Sequence, residues 1–124
     1  MKKYFLMLVM LFTMSVYSFA EDTNATEINR IERYDIKVNI RKLGSFLELS
    51  KDQMESVETI ENEFNRDLMF AAVECTKDNR MKVTDNAIEK HIRHMNYILS
   101  DKQYRKYLKV LNLTINNRGI RKVE

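Results

Sequence analysis

Apolar positions fall at helical spacing along most of this chain. Ile36, Ile40, Leu43 and Leu47 recur at intervals of 4, 3 and 4, which places them on one face and predicts a helix from about Glu27 to Leu47. Ile36, Val38 and Ile40 also alternate, so a short strand is the competing reading there. The next stripe is the longest: Met54, Val57, Ile60, Phe64, Leu68, Ala71 and Cys75 recur at intervals of 3 and 4. It predicts a helix about 39 Å long at about 1.5 Å per residue. Glu55, Glu58, Glu61, Glu63 and Asp67 fall on the opposite face and read as solvated surface. The polar stretch Thr76 to Arg80 interrupts the pattern. A third helix then carries Met81, Thr84, Ile88, Ile92, Met95 and Leu99 inward. A fourth carries Tyr104, Tyr107 or Leu108, Leu111 and Ile115, and Asn117-Arg118-Gly119 ends it, since glycine suits the left-handed position past a helix terminus. The absence of proline and the presence of only two glycines argue against a turn-rich β fold. The expected architecture is all-α, a four-helix hairpin or bundle of long slender helices.

The first twenty residues read differently, as a cleavable secretory signal. Lys2 and Lys3 form its positive end, Tyr4 to Tyr17 is apolar apart from Thr13 and Ser15, and Ser18 and Ala20 place small residues before a cut. That apolar run is shorter than the roughly 20 residues of a membrane-spanning helix; an uncleaved anchor is the alternative. The expected organisation is therefore a signal peptide at 1–20, a flexible segment at 21–26, a helical domain at 27–118 and a tail at 119–124. The mature protein would be periplasmic or secreted, with no stable membrane insertion once the signal is removed. A mature chain of 104 residues makes a thin core, which a second copy would help to bury, so a homodimer is expected.

Removing the signal alters the charge. Of 21 basic residues, 19 remain against 18 acidic ones, a net of +1, so the basic isoelectric point gives no argument for nucleic acid. The distribution is lopsided, with residues 21–75 at −6 and residues 76–124 at +7. That pattern fits helices packed on one another, or on a second copy, with complementary charge. Cys75 is the sole cysteine, so no intramolecular disulfide is possible. It must be buried, capped or paired between chains, and its place on the long stripe favours burial.

One short motif occurs twice, as Leu49-Ser50-Lys51-Asp52-Gln53 and Leu99-Ser100-Asp101-Lys102-Gln103. Each has the form of a capping box. The serine hydroxyl accepts from the N3 backbone N–H, and the N3 glutamine reaches back to the cap's own N–H. Leu49 with Met54, and Leu99 with Tyr104, stand where a hydrophobic staple would. This doubled Leu-Ser-x-x-Gln in a small exported helical chain resembles the LTxxQ family of periplasmic proteins, the Spy/CpxP-like chaperones and stress-sensor partners, over residues 47–115. Serine stands here where that family has threonine. Gln103 to Asn112 is also similar to small uncharacterised exported bacterial proteins.

The resemblance implies a bent helical hairpin that dimerises into a cradle, whose basic concave face holds protein clients or an envelope sensor protein without covalent chemistry. The matching surface would be Arg93, Arg105, Lys106, Lys109 and Arg118, interleaved with Tyr97, Tyr104 and Tyr107. Partner binding is accordingly expected at Arg93, Tyr97, Tyr104, Arg105, Lys106 and Lys109. Met54, Met69, Met81 and Met95 read mainly as core filler.

Other chemistries find less in the residues. His91 and His94, at i and i+3, form a weak alternative metal pair in a metal-responsive periplasmic protein. Two ligands are too few for a site, and two solvent-exposed or partner-facing histidines are the better reading. There is no phosphate loop, nucleophile motif or di-iron Glu-x-x-His, so no enzyme and no cofactor are expected. Arg, Lys and Tyr interleaving also occurs in single-strand binders, but export and a near-neutral mature charge speak against nucleic acid. Asn24-Ala25-Thr26 and Asn112-Leu113-Thr114 match the glycosylation pattern by chance. A structural envelope protein is the remaining reading.

Overall fold

A computed structural model describes residues 12–13 and 25–120. The described residues are all-α: α1 (Ala25–Tyr34), α2 (Ile40–Leu47), α3 (Lys51–Val73), α4 (Lys77–Ile98) and α5 (Asp101–Arg118). The one extended pairing among them is two residues wide, β1 (Phe12–Thr13) antiparallel to β2 (Lys37–Val38), with Phe12 opposite Val38. Apart from Phe12 and Thr13, the expected signal peptide lies outside the described residues, as do Asn24 and residues 121–124. No helix among the described residues is long and apolar enough to cross a membrane.

The single helix expected over Glu27–Leu47 is two helices, which makes five helices where four were expected. Its break has a tertiary cause. Arg118, from the end of α5, donates through Nη1 to the carbonyls of Glu32 (2.9 Å) and Asp35 (3.1 Å), so the end of α1 is satisfied by a side chain rather than by continued helix. Asn39 then opens α2, its Oδ1 accepting from the Lys42 backbone N–H at 3.1 Å. The alternation at Ile36–Ile40 corresponds to the extended link carrying β2. Ile36, Leu43 and Leu47 are nonetheless buried, so the inward positions hold although the element between them differs.

The α3–α4 hairpin is the centre of the fold. α3 packs against α1, α2, β2 and α4, while α5 packs against α4 and α2. Val57, Phe64, Leu68, Ala71, Ile88, Met95, Val110, Leu111 and Ile115 form its core. The C-terminal carbonyls of α3 are closed by two arginines. Arg30 of α1 donates to Ala72 at 2.9 Å, and Arg80 of α4 donates to Ala71 at 3.0 Å and to Cys75 at 2.8 Å. Cations there also suit the helix dipole. Cys75 lies in this link and is only half-buried, because α3 stops at Val73 and does not carry the stripe to it. Met81 is 74% exposed rather than inward; the inward face of α4 begins at Thr84. Gly119 closes α5 with φ +67°, as its position predicts.

Candidate functional site

Both repeated motifs form complete capping boxes. Gln53 N–H donates to Ser50 Oγ at 3.1 Å, and Ser50 N–H donates to Gln53 Oε1 at 2.9 Å. In the second motif Gln103 N–H donates to Ser100 Oγ at 3.2 Å, and Ser100 N–H to Gln103 Oε1 at 2.9 Å. The spare amide nitrogens then cross. Gln53 Nε2 donates to Ile98 O (3.2 Å) and Gln103 Oε1 (2.8 Å), while Gln103 Nε2 donates to Leu47 O (3.1 Å). Each glutamine therefore caps its own helix and binds the last carbonyl of the helix preceding the other motif. Two starts fifty residues apart become one joint, with Leu99 in the core and Leu49 and Tyr104 packed beside it.

About two turns along α3 from that joint lies a buried polar network. Glu61 and Phe64 come from α3, His91 from α4 and Tyr107 from α5, none more than 4% exposed. The Tyr107 hydroxyl donates to Glu61 Oε1 at 2.5 Å and lies 2.6 Å from His91 Nε2. With the hydroxyl proton given to the carboxylate, its oxygen accepts from Nε2–H, which assigns the tautomer. The imidazole stacks flat on Phe64, centroids 4.0 Å apart. Burial, reinforced by the Glu61 charge and hydrogen bond, pushes the Tyr107 hydroxyl well above the usual phenol range, so the phenol stays protonated and holds the carboxylate in place. Glu61 Oε2 has no donor among the protein atoms, and neither has His91 Nδ1.

Glu61 was expected on the solvated face and His91 in solvent or facing a partner; both are inside. Val57, Glu61, Phe64 and Leu68 keep 4, 3, 4 spacing, as do Thr84, Ile88, His91 and Met95. The stripe therefore passed through these polar residues as well as through their apolar neighbours Ile60 and Ile92, which are only partly buried. Glu61 also lines a cavity of about 290 Å³ with Ile36, Lys37, Val38, Ile40, Asn62 and Asn65.

The residues expected to bind partners divide into two groups. Arg93, Arg105, Lys106 and Lys109 are exposed and Tyr97 is 89% exposed. Arg93 and Tyr97 stand one turn apart on α4, and Arg105 and Lys109 one turn apart on α5. Lys106 is engaged within the fold: Nζ donates to Phe46 O at 2.8 Å and lies 4.4 Å from the centre of its ring. Tyr104 is half-buried, Tyr107 is wholly buried, and Arg118 is spent on α1. The His91 ring is committed to Tyr107 and Phe64, and among the described residues no group of three or more His, Cys, Asp or Glu is placed to hold a metal.

Against known proteins, the chain matches no family model, no curated protein and no solved structure. Sequence spacing was enough to find the two motifs and the exposed basic positions. It was not enough to find the glutamine crossing or the Glu61–Tyr107–His91 network, because each requires knowing which helices touch.

Proposed function

We propose that this chain is an exported, non-enzymatic binding protein of the LTxxQ, Spy/CpxP-like kind. It works in the periplasm as a homodimer of bent helical hairpins and holds protein clients or an envelope sensor protein by non-covalent contact. The observation that carries the reading is the crossing of Gln53 and Gln103. Two chance capping boxes have no reason to meet, whereas here each motif completes the other, so the pair acts as one architectural device. The binding surface is the outward side of α4 and α5, where exposed Arg93, Arg105 and Lys109 accompany Tyr97. A large exposed aromatic among cations suits loose capture of unfolded, partly acidic chains.

Protection of an aggregating client by the purified protein tests this, with oligomeric state read by light scattering. The expected result is a dimer that slows aggregation. Reversing Arg93, Arg105 and Lys109 to glutamate should abolish protection while leaving the helical content and unfolding midpoint unchanged. Absence of both client protection and binding to any envelope protein would refute the reading.

A further inference from the structure

In the full chain Phe12–Thr13 lies antiparallel on Lys37–Val38, with Phe12 opposite Val38 and Thr13 opposite Lys37. It is the one strand that pairs with β2 among the described residues, and it belongs to the stretch that a cut after Ala20 would remove. The segment beneath it is also fixed from within the helical domain. Just before β2, Asp35 O accepts from Arg118 Nη1 at 3.1 Å, and the Ile36 side chain is buried. Just after it, Asn39 caps α2 by accepting from the Lys42 N–H. Val38 and Ile40 pack half-buried against the core, and β2 itself packs on α3. Export would therefore leave an anchored, extended strand whose ladder groups have lost their partner. Such an edge is a template for another chain. An edge already held in shape also costs little ordering when a ligand arrives.

We infer that in the exported protein β2 is a strand-addition site, filled by an extended apolar segment of an unfolded client. The inference rests on the exported binding-protein reading and gives the same clients a contact apart from the cations of α4 and α5. The chemistry of the occupant follows from the stretch seated there in the full chain, which is apolar from Tyr4 to Tyr17 apart from Thr13 and Ser15. Main-chain bonds to Lys37 and Val38 give affinity with little regard to sequence, and the side chains beside them give preference. Directly opposite residues of an antiparallel pair share a face, so the client residue opposite Val38 meets an apolar neighbour packed on the core. An apolar residue is favoured at that position and a charged one is not. Until the cut, the chain's own segment fills the site, so capture at this edge begins only after export.

The exported protein, purified from the periplasm and weighed by mass spectrometry to establish its N-terminus, tests this. It is titrated with a fluorescent peptide of residues 9–16 flanked by added lysines for solubility. Saturable binding is expected, with slowed amide hydrogen exchange at Lys37 and Val38. The same peptide N-methylated at the positions of Phe12 and Thr13 keeps its apolar surface but can no longer donate there, and should bind about tenfold more weakly. Val38→Asp, which puts a charge on the shared face, should weaken the unmethylated peptide by a similar factor with helical content unchanged. Should that variant fail to fold, the methylated peptide decides on the unaltered protein. The inference is overturned if the purified protein retains residues 12–13, if the peptide does not bind, or if the methylated peptide or a folded Val38→Asp binds as the parent does. Client protection is read in a separate assay, so protection without peptide binding removes this site alone and leaves the binding-protein reading in place.

Discussion

At Tyr107 the fold changes the chemistry of a side chain. Burial and the adjacent Glu61 carboxylate hold its proton well above the usual range, whereas the unfolded chain releases it near pH of about 10. The folded state therefore binds more protons at alkaline pH. Its stability is full below the ordinary phenol range and falls as pH rises through and beyond it. Tyr107→Phe should flatten that alkaline decline, as measured by urea unfolding at stepped pH. At neutral pH the same change should cost roughly 1–3 kcal/mol, because Glu61 Oε1 loses its closest donor inside the core. Half of this arrangement was legible beforehand. Either Tyr107 or Leu108 was expected on the inward stripe, but Glu61 was placed on the solvated face and His91 in solvent or facing a partner. Polarity is a poor guide where polar groups from three helices hydrogen-bond to one another, since each bond offsets part of the cost of burial.

Between elements, the cross-tie of the two motifs gives a measurable coupling. Ser50→Ala and Ser100→Ala should each cost about 1 kcal/mol, as ordinary caps do. Gln53→Ala and Gln103→Ala should behave differently, because each removes a cap and a link to the other helix. Their double-mutant cycle should show a coupling of about 0.5–3 kcal/mol, while an additive result would mean that the crossing contributes nothing to stability. A second link joins α3 to α4, where Lys90 Nζ lies 3.0 Å from Glu63 and 2.8 Å from Asp67. The hydrogen bond and charge of Lys90 hold the Glu63 carboxyl below its usual range. Its contribution is therefore present at neutral pH and lost as pH falls through the carboxylate range. Lys90→Ala should reduce the acid sensitivity of unfolding by a small amount, since this pair is largely solvated.

For the whole molecule, charge is divided along the chain, with acidic residues concentrated through α3 and basic ones through α4 and α5. Part of that division is consumed internally, where Lys90 of α4 pairs with the α3 carboxylates Glu63 and Asp67 and where Arg80 and Arg118 bind helix-end carbonyls. Arg93, Arg105 and Lys109 remain outward, among the exposed cations of α4 and α5 that a partner could meet. Client protection that depends on them should weaken as salt is raised, because exposed charges are screened over about 8 Å at physiological ionic strength. Protection unchanged across a salt series would assign capture to apolar contact instead. Tyr97 would then be the residue to replace first.

Local chemistry made much of this protein readable from its sequence alone. A capping box closes within four residues and an amphipathic stripe repeats every turn, so the starts of α3 and α5, the glycine end of α5 and the all-α class all follow from neighbours along the chain. Contacts between distant segments decided the rest. The break between α1 and α2 depends on Arg118, 83 residues from Asp35. The inward turn of Glu61 depends on a phenol 46 residues away. In both places the local pattern permitted two answers. A hydrogen bond from another helix, part-buried at Arg118 and fully buried at Tyr107, chose between them.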